Sequence, residues 1–471
     1  MCSAGCLDSR CRCTYSCGDA SDVAEEVEAT DVAVDRVGDG DSADGVEGDV
    51  RDGDAGETTD VDPDAGPCLY RSSGETRPGA SPGVSCTRIT VWENEYYAWY
   101  FSGDGDRIVV SGAVSSGAGS AEYIGSCLWE YRRSTGCSRL VHPALTPVGS
   151  TATIAFPSSE GALVAYSWGW RPTSDVEHCL VGLLDLESGE DRTLTSSDSR
   201  IPAGDHSGCS IISVSLEAPW VVWADNREVP VAPPDGTSHR WDALATNIET
   251  GENINLNLDP TTSARLWRST FHVDLEDGLA VFDAAWGGSP TADPFGRGIV
   301  GANVLTGERL RFAEASADLW YPDLWYPVLA SSWIAWLDQR HHPECDSFTP
   351  CSTDVYGFDL ATGTEQALVI AGDSMQGEEL DADGPWVVYE DQRGGDDPTH
   401  ARDREQDIYA FHLPTMTEVQ ITNWPGYEMN PQVYRRDDGS YGVLLAFELD
   451  RRSEIYPVWD CDLPEPGSGG R

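Results

Sequence analysis

Short apolar runs that end in an aromatic or aliphatic residue and then turn polar recur along the chain. They read IVV at 108–110, LVAY at 163–166, VVW at 221–223, LAVF at 279–282, IAW at 334–336, VVY at 387–389 and LLAF at 444–447. Runs of this length, bounded by turn residues, predict buried strands. Their last residues stand at 110, 166, 223, 282, 336, 389 and 447, at intervals of 56, 57, 59, 54, 53 and 58 residues. A steady period of that size marks a repeat architecture.

Each run is followed by a variable loop and a second strand, at 127–136, 179–189, 241–251, 298–307, 354–363, 407–416 and 454–460. Five of these end in Thr-Gly or Ser-Gly, a tight turn in which Gly takes the positive φ a hairpin needs. A third strand follows, as in RTLT at 192–195 and VQIT at 419–422. An apolar strand must also precede each run. The unit is therefore four strands, A to D, with the periodic run as B. Radial stacking of such sheets buries both faces of each one.

The pattern W-x-D-x-R, then D-I-Y-x-x-D-L-x-T-G, then a Leu/Ile-Thr strand resembles the TolB-like β-propeller repeats of bacterial envelope proteins. It is carried by Trp223, Asp225 and Arg227, by Trp336, Asp338 and Arg340, and by Tyr389, Asp391 and Arg393. Phe282 lacks the Asp and Arg, the first two repeats are degenerate, and the last carries them one place late, at Asp450 and Arg452. The resemblance covers residues 87 to 460 and implies an all-β propeller in a periplasmic, surface-anchored or secreted bacterial protein.

The ends set the blade count. The last repeat stops after its third strand, while Thr87-Arg88-Ile89-Thr90 matches Val419-Gln420-Ile421-Thr422. The expectation is seven blades, the last taking strand D from the N-terminal side; six blades is the alternative. The same alignment sets Cys86 and Cys461 on either side of the missing C–D turn, close enough to bridge. Cys345 and Cys351 share one B–C loop, and Cys179 and Cys209 map to one face of blade 2. Both are candidate pairs. Cys127 and Cys137 fall at opposite ends of neighbouring strands, against a mutual bond.

Charge and cysteine usage narrow the class further. The net charge is −50, with no lysine among the 30 basic residues. Such a chain repels nucleic acid and anionic membranes, and no apolar stretch is long enough for a transmembrane helix. Residues 18–66 hold 18 acids and two Arg; they read as a disordered acidic linker. Residues 1–17 carry five Cys, either as a small disulfide or metal knot or as the remnant of an export or lipoprotein anchor. The expected division is 1–17, 18–66 and a propeller at 67–471. Fourteen Cys without metal-type pairs favour disulfides in an oxidising compartment.

No catalytic motif is spelled out. There is no G-x-S-x-G elbow, P-loop or dinucleotide fingerprint, and Gly204-Asp-His206-Ser207-Gly208 cannot by itself build a triad. No metal and no cofactor is expected. Calcium is the one ion that the acids at 60–64 or at Asp396, Asp397, Asp403, Glu405 and Asp407 could attract, but the first read as part of the disordered tail and the second as a solvated acidic loop. His341-His342 beside Glu344 reads as a surface loop.

In propellers the B–C and D–A loops share one face. Here the B–C loops are long, at 228–240, 341–353 and 394–406. The D–A segments carry Tyr96, Tyr97, Trp320, Tyr321, Trp325, Tyr326, Trp424 and Tyr427. These aromatics either line a ligand site or pack between blades. The repeated Asp and Arg either bind ligands or fasten each B–C corner. The expectation is a monomeric, non-enzymatic propeller that binds an envelope or extracellular protein, peptide or glycan. A hydrolase or lyase acting on an extracellular polymer is the alternative.

Overall fold

The computed structural model describes residues 2–6, 13–17, 70–72, 74–89, 96–115, 123–142, 151–173, 176–200, 211–225, 241–267, 272–287, 295–315, 324–341, 353–370, 376–393, 406–448 and 457–464. Nearly all of them lie in seven antiparallel sheets arranged as the blades of a propeller. Five blades have four strands in sequence order. Blade 2 starts at Thr151–Glu160, blade 3 at Ile211–Glu217, blade 4 at Val273–Glu276, blade 5 at Leu324–Ala330 and blade 6 at Gln376–Asp383. Blade 1 starts at Tyr96–Asp104 and gains Tyr70–Arg71 at its outer edge.

Blade 7 closes the ring. Its order is Tyr427–Arg435, Tyr441–Glu448, Val458–Asp462, then Ser85–Ile89 and Thr76–Pro78 from the N-terminal side. Cys461 lies directly opposite Cys86 in the register, and the two are joined by a disulfide. Cys127, Cys137 and Cys179 are also disulfide-bonded; Cys209, Cys345 and Cys351 lie outside the described residues. At the N-terminus, Cys2–Cys6 pairs antiparallel with Cys13–Cys17. The linker at 18–66 lies outside the described residues.

A strand between two other blades has no solvent face, so its residues alternate between two cores. Seven hydrophobic clusters, one at each blade interface, result from this. Val110, Tyr166, Trp223, Phe282, Trp336, Tyr389 and Phe447 end the periodic runs, and each packs towards the preceding blade. Trp336, for example, joins Val281 and Ile299 of blade 4, while its neighbours Ala335 and Leu337 join Leu380 and Val387 of blade 6. Burying a large apolar side chain fully is worth about 1.5–3 kcal/mol. The period in the sequence is thus the period of the ring's interfaces.

The turns explain the recurring glycine. Gly136, Gly189, Gly251, Gly307 and Gly363 all have φ between +64 and +77. Asp185, Asn247, Asn303 and Asp359 each accept backbone N–H bonds from residues two and three places on, which holds the hairpin at its tip. In blade 6 Met416 takes the left-handed place, at φ +51.

Candidate functional site: the central channel

The first strand of every blade faces the ring axis, and together the seven enclose a cavity of about 380 Å³. Six of these strands are broken by a register shift. A bulge re-aims side chains relative to the pleat. In three blades it coincides with a non-glycine residue at positive φ followed by proline: Phe156 at +48, Tyr326 at +55 and Asn430 at +56. Such conformations cost on the order of 1–3 kcal/mol each and concentrate at ligand sites.

Two aromatic pairs follow from this geometry. Tyr100 and Phe156 stand 4.2 Å apart, tilted at 43°. His272 and Tyr326 stack at 3.6 Å and 25°. All four line the cavity and come from blades 1, 2, 4 and 5. Each lies nearer the start of its strand than the acids described next.

Those acids occupy the ends of five of the first strands. Asp104, Glu160, Glu217, Glu276 and Asp383 each close a first strand, and Asp274 and Asp381 stand two places earlier. Each reaches into the next blade and accepts backbone N–H groups there. Asp104 takes Gly161. Glu217 takes Asp277 at 2.7 Å and Gly278 at 2.9 Å. Asp274 takes Leu329 at 2.7 Å, and Asp381 takes Val433 at 2.8 Å. Ser158 does the same for Leu216 at 2.9 Å. These bonds lace the blades together around the axis, since buried backbone donors need acceptors.

The electrostatics of the floor are one-sided. Among the described residues eight carboxylates line the cavity, counting Glu379, no arginine does, and His272 is the single basic side chain. Burial pushes Glu276 up to about 8, helped by the charges of Asp274, Asp383 and Asp277. Burial also lifts Asp383 to about 6, against the Arg435 N–H that favours its charged form. Asp381 is raised well above the usual carboxylate range by burial and by Asp274. Asp274 is raised by burial, against three hydrogen bonds that favour its charge. The Oε2 of Glu276 is out of contact with solvent and has no hydrogen-bond partner.

The residues singled out from the sequence fall in several places. Tyr326 lines the channel. Trp325 is half-buried against the core between blades 5 and 6. Trp424 is buried between Phe447 and Trp459 and donates its indole N–H to the Pro78 carbonyl at 3.1 Å. Tyr427 opens blade 7, opposite Glu448, and bridges to Gln406. Tyr96 and Tyr97 lie on the first strand of blade 1, opposite Val114 and Ala113. Trp320 and Tyr321 lie outside the described residues.

The repeated Asp and Arg form corner fasteners. Asp338 is fully buried and accepts Trp336 Nε1 at 3.0 Å, Arg340 N at 2.9 Å and Arg340 Nε at 2.8 Å. Asp391 accepts Arg393 N at 2.7 Å and Nε at 2.6 Å. Trp223 Nε1 reaches Asp225 at 3.2 Å; Arg227 lies outside the described residues. The guanidinium groups of Arg340 and Arg393 sit 4.3 Å over Tyr356 and Tyr409. Of the acid loop, Asp407 is described: it is buried and accepts Gln420 Nε2 at 3.0 Å. His341 pairs with Asp354 at 2.8 Å.

No family model matches the chain, and no curated protein sequence does. Among solved structures it is similar to the β-propeller domain of the Trilobed protease from Pyrococcus furiosus. The identity is 10% and the TM-score 0.52, with 80% of this chain and 98% of that one covered. That domain is described as having an open velcro topology, whereas blade 7 here is closed by Ser85–Ile89. An oligogalacturonate lyase in complex with manganese matches at 12% identity and a TM-score of 0.47, covering 84% and 97%. A putative TolB from Agrobacterium tumefaciens matches at 14% identity and a TM-score of 0.34, covering 62% and 89%. At these identities the likeness speaks for the propeller fold alone. Among the described residues no helix is long and apolar enough to cross a membrane.

Proposed function

We propose that this chain is an extracytoplasmic binding propeller that takes a peptide or glycan group into the mouth of its central channel. The observation that carries this reading is the two aromatic pairs that line the cavity, Tyr100–Phe156 tilted and His272–Tyr326 stacked, with Tyr100, Phe156 and Tyr326 on bulged strands. Aromatic faces beside a few polar groups in a concave site suit stacking on a ligand. Disulfide closure supports an oxidising compartment outside the cytoplasm.

The test is an array of peptides and glycans probed with the full chain and with its Tyr326→Ala variant. Signal that the variant loses supports the reading. Signal indifferent to Tyr326 places binding elsewhere. The second reading, a hydrolase or lyase, draws on one observation: Glu276 is held near 8, in the range of a general acid at neutral pH. Turnover of an extracellular polymer that Glu276→Gln abolishes would favour it.

A further inference from the structure

We infer that the channel selects an organic cation, an ammonium or guanidinium group whose charge seats at the floor and whose carbon body lies between the aromatic pairs. This rests on the binding reading above and names the ligand class for that site. The cavity itself carries the inference. It is a built space of about 380 Å³ bounded by all seven first strands, with the two aromatic pairs nearer the starts of those strands and Asp104, Glu160, Glu217, Glu276 and Asp383 at their ends. Ring faces attract cations through their quadrupole, most strongly where water is excluded.

The floor fixes the sign of the charge. Blade 4 contributes Asp274 and Glu276, and blade 6 contributes Asp381 and Asp383. Between them blade 5 offers Val328 and Ala330 at the matching positions. Asp383 bears on Glu276, and Asp274 bears on Asp381, so the two sets repel one another across that apolar gap. An anion would add to this repulsion and a neutral ligand would leave it unrelieved. A cation offsets it. Glu276 Oε2, buried and without a donor, is an acceptor to which an N–H of such a group can turn.

The same geometry favours an organic cation over a metal ion. Among the described residues no three His, Cys, Asp or Glu side chains converge as a metal site. The clasps hold the carboxylates to the backbone of successive blades, which keeps them apart. A chain or fork of N–H donors can reach separated acceptors, as a compact ion cannot.

The amine can be free or carried on a peptide, and calorimetry with the full chain at pH 8.5 in 0.15 M salt separates the two. The probes are spermidine, the C-terminally amidated tripeptide Lys-Tyr-Lys, and the same amidated tripeptide with norleucine for both lysines and an acetylated N-terminus. The inference expects one site, at least tenfold tighter for a cationic probe than for the neutral tripeptide. Glu276→Gln and Asp381→Asn should each weaken that site at least fivefold. Preference for spermidine identifies a free amine; preference for Lys-Tyr-Lys identifies a peptide side chain or terminus.

Equal binding of charged and neutral tripeptides overturns the inference, as does no binding of any cationic probe. Binding at several sites that fades above 0.15 M salt is general attraction by the net charge and also overturns it. The comparison on the wild-type chain needs no variant to fold. Array signals from neutral glycans that depend on Tyr326 would leave the binding reading standing while this inference fails.

Discussion

Cys86 and Cys461 are bonded across 375 residues of sequence, with their Cα atoms 3.9 Å apart. They face each other where every other blade has a covalent hairpin. Both are fully buried, in the core shared by blades 6 and 7. The bond therefore stands in for the turn that the split blade lacks. The chain-entropy model gives a cross-link closing so long a loop about 6 kcal/mol. Replacing both residues by Ser should lower stability to urea by about that much. Non-reducing peptide mapping should recover the Cys86 and Cys461 peptides linked.

A second lock joins the same blade to blade 1. Asp460 receives Arg133 Nε at 2.7 Å and Arg436 Nη2 at 2.7 Å, as well as the Tyr434 hydroxyl at 2.9 Å. Asp460 and Arg436 are buried, and Arg133 is about a third exposed. Removing one partner of a buried pair leaves the other charge uncompensated, at a cost of about 3–5 kcal/mol. Asp460→Ala should therefore cost that much in a urea titration. Arg133→Ala should cost about 1 kcal/mol, as partly solvated pairs do. Equal effects would show that the two arginines share the load.

The corner motif is tested by the same contrast. Asp338→Ala strips the acceptor from Trp336 Nε1 and from two groups of Arg340. Hydrogen bonds to a charged group contribute about 1.5–3 kcal/mol. A loss of roughly 2–3 kcal/mol in urea denaturation, with ligand binding unchanged in the folded fraction, is the expected result. A loss of binding at unchanged stability would return the motif to the ligand-binding readings.

How much of this was legible in the sequence depends on where the residues sit. The second strands are buried on both faces, so Trp223, Trp336 and Tyr389 stand out as the ends of apolar runs. The split blade showed through because Ser85–Ile89 does the work of Thr417–Gln420 and keeps its pattern. The channel did not show. Its strands are interrupted at Phe156-Pro157, Tyr326-Pro327 and Asn430-Pro431, so alternation fails there. Trp424 and Tyr326 look alike in sequence, as aromatics in D–A segments. The local bulge and left-handed turn at Tyr326 aim it into the cavity, while Trp424 packs into the core between blades 6 and 7, beneath Arg77. The acids do carry a readable signal. The endings Ser102-Gly-Asp104, Ser158-Ser-Glu160, Ser215-Leu-Glu217, Asp274-Leu-Glu276 and Asp381-Ala-Asp383 repeat in five blades. Their partners are backbone groups of the next blade, which no side-chain motif announces.

The channel floor makes stability depend on pH in a direction opposite to that of ion-paired carboxylates. Glu276 is raised from 4.5 to about 8, by burial first and then by Asp274, Asp383 and Asp277. A carboxyl whose folded pKa lies above its unfolded one binds more protons when folded. Its contribution is fully present below about 4.5 and is lost as pH rises through about 8. Asp383, raised to about 6, acts likewise over a lower window, from 3.8 upward. Gln at 276 is neutral throughout and escapes the first of these losses. The Tm of Glu276→Gln minus that of the wild type should therefore grow between pH 5 and pH 8 and level off above that. A difference that is flat over this range would mean that Glu276 ionises at its ordinary value and that the floor is better solvated than its burial implies. A cationic ligand at the floor should shrink the difference, because it holds Glu276 in its charged form and drives a proton off on binding.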